Sequence, residues 1–166
     1  MHEAETLSPV LPGELEEATR RLLAKACERE LVLATAESCT GGMLASLLTD
    51  VQGVAHAFDR GFVTYSEEAK TEMLGVPAAL IEAKGAVSRE VAVAMAEGAL
   101  SRSRANIALA ITGFADTGEE PGLVHFACAR NGRVTLTREE HFGQIGRGGV
   151  RVAALEVAVA MMTEML

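Results

Sequence analysis

The run Leu31-Val32-Leu33-Ala34-Thr35-Ala36 constrains the fold of this chain more than any other segment. Six uncharged residues are far too few to span a membrane and fit a short strand buried inside a sheet. Before it, Leu15, Ala18, Leu22, Leu23 and Ala26 recur at helical spacing between Glu14 and about Arg29. After it, the run ends at Glu37-Ser38, and a turn leads into a helix predicted over 42–50. A helix, a buried strand and a second helix in this order point to a sheet covered by helices.

The rest of the chain continues the alternation. Residues 58–65 read as a strand, and Ser66-Glu67-Glu68 then supplies an N-cap and acidic first turn for a short helix through Met73. Gly75-Val76-Pro77 stops that helix, and Ser88-Arg89-Glu90 opens a long amphipathic one to about Ser103. A strand over 106–112 ends in Thr112-Gly113, followed by a polar loop from Ala115 to Pro121. Strands over 123–129 and 134–140 are joined by Asn131-Gly132, a hairpin signal, and a glycine-rich stretch leads into a last helix over roughly 150–165. The pattern predicts helices on both faces of a mixed sheet. Residues 1–12, punctuated by Pro9 and Pro12, read as a flexible lead-in, and 13–166 as one domain.

Composition removes several function classes. A chain of 166 residues that is 49% hydrophobic can bury a core without disulfides or metals. Its 15 Lys+Arg against 23 Asp+Glu give a net charge of -8, the wrong sign for a general nucleic-acid binder, although a local pocket for a small anion stays open. Cys27, Cys39 and Cys128 lack C-x-x-C spacing, which disfavours a disulfide framework and a cysteine zinc site. No His/Cys/Asp/Glu grouping has metal-ligand spacing, so neither a metal nor a cofactor is expected. The acidic N-terminus lacks an apolar signal segment, and no apolar run reaches membrane length. The expected setting is the cytoplasm, with no membrane and no nucleic acid as partner.

Ligands of open α/β sheets bind beyond the carboxyl ends of strands. One such end carries Glu37-Ser38-Cys39-Thr40-Gly41-Gly42 and another carries Thr112-Gly113. A serine at a sharp strand-to-helix turn exposes its hydroxyl, while N–H groups at the helix start can hold a phosphate or an oxyanion. Equally, Ser38 or Thr40 can merely cap the helix while the glycines make the turn. The string is neither G-x-S-x-G nor a Walker loop. Of His2, His56, His125 and His141, none lies beside an obvious Asp partner at a strand end, which leaves a Ser-His-Asp triad little support, with His56, in a loop, the one candidate still open. The chain has three lysines, Lys25, Lys70 and Lys84, and Lys70 follows a strand through Thr64-Tyr65-Ser66. A lysine base must be neutral, and its ordinary pKa of about 10.4 has to be lowered by burial or nearby cations. Tyr65, the one tyrosine, can relay a proton from the same corner. On spacing alone, an exposed Lys70 paired with Glu67 is the favoured reading. Arg147 and Arg151, spaced i, i+4 after glycines, can clamp a phosphate or carboxylate, or pair with Glu156 or a second subunit.

Several long strings resemble the CinA C-terminal domain family: Ala36-Glu37-Ser38-Cys39-Thr40-Gly41-Gly42, the stretch from Arg60 to Lys70, Leu74-Gly75-Val76, Gly85-Ala86-Val87-Ser88 and Gly122-Leu123-Val124. The likeness runs from about Glu14 to Leu166. It implies a three-layer α/β/α sandwich with a mixed, mostly parallel central sheet, no metal, and a homo-oligomer of the stand-alone form. It implies hydrolysis of the carboxamide of nicotinamide mononucleotide to nicotinate mononucleotide and ammonia, with a pyridine nucleotide as the small-molecule partner. Carried over position by position, Ser38 is the nucleophile, Lys70 its base and Tyr65 an assistant. Cys39, Thr40, Gly41, Gly42, Thr112, Gly113, Arg147 and Arg151 are then the expected substrate-binding residues. Two departures from the family pattern stand out. Asp116-Thr117 replaces a Gly-Pro in a shortened loop, and Gln144 replaces an acid in Gly143-Gln144-Ile145-Gly146-Arg147. Carboxylates at Asp116, Glu119 and Glu120 disfavour a phosphate if they point inward. A weakly active or non-catalytic nucleotide binder, and a serine–lysine amidase for another small amide, therefore stand as alternatives.

Overall fold

Along β3 (Ile107–Gly113) large and small side chains alternate: Ile107, Leu109 and Ile111 join one apolar cluster, Ala108 and Ala110 the other. The same division holds in β1 (Leu33–Glu37) and in β4 (Leu123–Arg130), where Val124, Phe126 and Cys128 oppose Ala127 and Ala129. Because successive strand residues face opposite sides, the sheet has a thick face and a thin one. In the computed structural model, which describes residues 11–166, the thick face packs on α1 (Gly13–Glu28), α2 (Met43–Thr49) and α6 (Arg147–Glu164). The thin, alanine-lined face takes α5 (Arg89–Ser101), with α3 (Glu67–Leu74) and α4 (Ala78–Lys84) packed beside it. Close approach is essential there. A Cβ on Gly98 of α5 would lie 2.1 Å from the Leu74 carbonyl oxygen.

The sheet runs β2-β1-β3-β4-β5, with β2 spanning Phe58–Val63 and β5 spanning Leu136–His141. The α/β/α sandwich and the mixed sheet agree with expectation, whereas "mostly parallel" needs correction. β1 pairs in parallel with β2 and β3, but β3–β4 and β4–β5 are antiparallel. The links after β3 and β4 are too short for the crossover that a parallel pair requires.

Three local readings also change. α4 follows Pro77 where no helix was expected, because its seven residues carry no side-chain cap to announce it. The Asn131-Gly132 turn forms, with the Arg133 N–H donating to the Arg130 carbonyl, but strand pairing starts only at Cys128–Leu136, which leaves Val134 92% exposed outside β5. The last helix starts at Arg147, earlier than its glycines suggested. Of the expected lead-in, residues 1–10 lie outside the described residues, and Pro12 is the N-cap of α1. Among the described residues, no helix is long and apolar enough to cross a membrane.

Candidate active site

The carboxyl ends of β1, β2 and β3 fall on one edge of the sheet. The chain leaves β1 through α2 on the thick face and returns from β2 to β3 through α3–α5 on the thin face. That reversal makes a crevice between the ends of β1 and β3, the usual ligand position in such folds. A cleft of about 430 Å³ lies there, with Ser38, Lys70, Thr112, Asp116, Arg147 and Arg151 on its walls.

At its floor the Lys70 Nζ lies 3.0 Å from the Ser38 Oγ, 2.8 Å from the Thr64 carbonyl oxygen and 3.5 Å from that of Tyr65. Ser66 starts α3 by accepting the Ala69 N–H at 3.1 Å, and this cap sets the helix so that its first turn turns Lys70 inward. Lys70 is 1% exposed, which corrects the solvated Glu67-paired lysine that spacing alone favoured. Burial lowers its pKa from 10.5, because desolvation penalises the ammonium, while the Cys39 thiol and Glu67 carboxylate act in the opposite direction. The thiol carries no charge at neutral pH, since burial pushes its own pKa up to about 12. In the neutral amine, two N–H groups meet the two carbonyls and the lone pair is left facing the Ser38 hydroxyl. That is the arrangement of a nucleophile and its base.

Glu37 organises the turn from beneath, and sequence reading passed over it. Its fully buried carboxylate accepts from the Thr40 hydroxyl at 2.7 Å and from the Leu44 and Ala45 N–H groups at 2.8 and 3.0 Å. Every bond is charge-assisted, and two of them hold N–H groups of the first turn of α2. The available signal was an acid at the end of an apolar run, just before a helix start. Within the turn, the Ser38 N–H donates to Ile111 and the Gly41 N–H to Ser38, while among the described residues those of Cys39 and Thr40 donate to no backbone carbonyl.

Ser38, Cys39, Tyr65, Lys70, Thr112, Gly113, Arg147 and Arg151 all line the cleft. Thr40, Gly41 and Gly42 do not. They line a neighbouring hollow across the turn, and Arg151 stands between the two. Thr40 is turned inward by its bond to Glu37, and Thr112 donates its hydroxyl to the Ala86 carbonyl. The Tyr65 side chain is 77% exposed, and it is the Tyr65 carbonyl that approaches Lys70. Arg151 Nε donates to the Cys39 carbonyl at 2.9 Å. Arg147 pairs with Asp116 at 3.6 Å rather than with Glu156. Among the described residues, no group of three His, Cys, Asp or Glu side chains is placed to hold a metal ion.

The sequence pattern of the CinA C-terminal domain matches residues 15–166. The chain belongs to the CinA C-terminal domain family. The CinA-like protein of Syntrophus aciditrophicus is 42% identical over 156 residues, and that of Akkermansia muciniphila 50% over 115. These matches cover 92% and 66% of this chain but 36% and 28% of theirs, so the chain spans about a third of the length of these curated relatives. Among solved structures, the competence/damage inducible protein CihA from Agrobacterium tumefaciens superposes with a TM-score of 0.91 at 42% identity, covering 95% of this chain and 99% of that one. The competence damage-inducible protein A of Klebsiella pneumoniae gives 0.85 at 35% identity, covering 90% and 95%. Among CinA domains of known structure, the likeness is therefore one of nearly whole chains.

Proposed function

We propose that this CinA-family chain is an amidohydrolase that converts nicotinamide mononucleotide to nicotinate mononucleotide and ammonia. One observation carries the reading: the 3.0 Å contact between the Ser38 hydroxyl and a buried lysine amine whose pKa is lowered. The Ser38 Oγ attacks the carboxamide carbon as its proton passes to the Lys70 Nζ. The Cys39 N–H, at the part of the turn that lines the cleft, serves as a backbone donor for the developing oxyanion. Collapse breaks the C–N bond, and the Lys70 ammonium protonates the departing nitrogen, which leaves as ammonia. Water, deprotonated by the neutral Lys70, then attacks the acyl carbon and frees Ser38. Release of equimolar ammonia and nicotinate mononucleotide by the purified protein, lost in Ser38→Ala, is the expected result. Full turnover in Ser38→Ala would falsify the assignment.

A serine–lysine amidase for another small amide is the second reading, favoured by the Asp116 carboxylate at the cleft mouth. A panel of amides assayed for ammonia release separates the two.

A further inference from the structure

The two arginines of the cleft are held differently. Arg151 is anchored through its Nε to the carbonyl beside Ser38, and among the described residues no hydrogen bond or ion pair takes its terminal nitrogens, which lie at the cleft wall. Arg147, one helical turn earlier, gives its guanidinium to Asp116. Asp116 belongs to the loop between β3 and β4, and that loop is fixed at several points. The Phe114 N–H donates to Leu123 at 2.9 Å, the Gly122 N–H to Phe114 at 2.7 Å, and the Phe142 N–H to Gly122 at 2.9 Å. The Glu120 carboxylate meets His141 at 2.8 Å, and Gly118 sits so close on the Phe114 ring that a Cβ would lie 2.2 Å from it. The carboxylate is therefore delivered to Arg147 by a braced loop. Around the cleft, Arg147 and Arg151 face Glu67 and Asp116, so with Lys70 in its neutral form the charges of its lining cancel. A phosphate dianion needs a cationic surplus there.

Resting on the amidohydrolase reading above, we propose that Asp116 is a specificity-determining residue. It competes with the substrate phosphate for Arg147, and so narrows the margin by which the cleft prefers a phosphorylated pyridine amide to its unphosphorylated counterpart. The experiment measures kcat/KM for nicotinamide mononucleotide and nicotinamide riboside in wild type, Asp116→Asn, Arg147→Ala and the double variant. In parallel, calorimetry gives Kd for the two acid products, nicotinate mononucleotide and nicotinate riboside. Asp116→Asn is expected to raise the preference for the phosphorylated partner about fivefold, the upper end of one exposed charge interaction. In the Arg147→Ala background the same substitution shifts it threefold or less. A shift below twofold in the wild-type background, or an equal shift in both backgrounds, overturns the proposal. If neither amide yields ammonia, the amidohydrolase reading fails by itself, and the ratio of the two Kd values still decides the role of Asp116.

Discussion

Ser38 and Arg147 stand on the same cleft and are held in opposite ways. Ser38 is 7% exposed on a turn braced by the buried Glu37 carboxylate, and its hydroxyl meets an amine with 1% exposure. Arg147 keeps 46% of its side chain in solvent, and its partner Asp116 keeps 50%. Low dielectric strengthens polar contacts in the first region and makes each unmet one costly, whereas water screens those in the second. The floor is thus rigid and intolerant of change, while the mouth can vary its charge at little cost to the fold. On the proposed amidohydrolase reading, reaction chemistry belongs to the floor and substrate choice to the mouth.

The hardest blow to that contrast is at Lys70. Replacing it with Met is expected to lower turnover by at least about 10³-fold, the combined worth of a base and an activated nucleophile. The protein should stay folded, with stability changed by less than about 2 kcal/mol, because removing a buried amine offsets the two carbonyls left without a donor. Lys70→Arg should not rescue activity, since a guanidinium cannot become neutral near pH 7. In wild type, kcat/KM should rise with pH and level off below 10.5, where an ordinary lysine titrates. The sign for stability follows from the same shift. Between the lowered folded pKa and 10.5 the unfolded chain binds more protons, so the Lys70 contribution makes stability rise with pH across that window. Urea unfolding from neutral to alkaline pH measures it, and Lys70→Met should flatten the slope. A slope unchanged by the substitution would mean the amine is not desolvated.

A smaller break is expected at Glu37. In Glu37→Gln the amide oxygen can still accept from Thr40 and Leu44, but its NH₂ group faces the Ala45 N–H, donor against donor. One buried N–H loses its acceptor, at a cost of about 1–3 kcal/mol in thermal or urea unfolding. Because the turn that carries Ser38 loses part of its brace, kcat should fall roughly 10- to 100-fold, as small misplacements of a nucleophile do. KM should move much less. Equal losses in kcat and folded fraction would reduce Glu37 to a stability role.

Glu37 also shows where sequence reading stops. Periodicity and caps disclosed most elements because each is a local property: the Ser66 and Ser88 caps accept the N–H bonds their positions suggested. The thin face was present in the Ala108 and Ala110 alternation, but its purpose needs α5 opposite, which no local pattern supplies. Ser38 was visible as a serine at a strand end, and Lys70 as a lysine after one. Their 3.0 Å contact spans 32 positions and is created by the crossover through α2. The Thr40 hydroxyl turns inward to Glu37, a direction no local pattern supplies, because a turn residue can point either way until its partner is known. The direction of Asp116 was likewise undetermined until the loop and α6 were brought together.

The mildest test lies at the far end of the loop, where His141 bridges Glu120 and Glu139 with both contacts at 2.8 Å. Hydrogen bonds to Glu120 first, and then to Glu139, raise its pKa from 6.5. A raised folded value means the stabilisation is fully present below the unfolded pKa and fades as pH rises through the folded one. An NMR titration should therefore place the imidazole above 6.5, and added salt should move it back because the group is exposed. His141→Asn should change Tm by no more than about 2 °C at low pH and leave it unaltered at high pH, as exposed pairs contribute little. The loop keeps its backbone bonds at Phe114 and Gly122 in that variant, so Asp116 stays on Arg147 and the preference between phosphorylated and unphosphorylated amide shifts less than in Asp116→Asn. A larger shift from His141→Asn would make the side-chain bridge, rather than the backbone, the element that delivers the carboxylate, and the mouth would then be sensitive to pH.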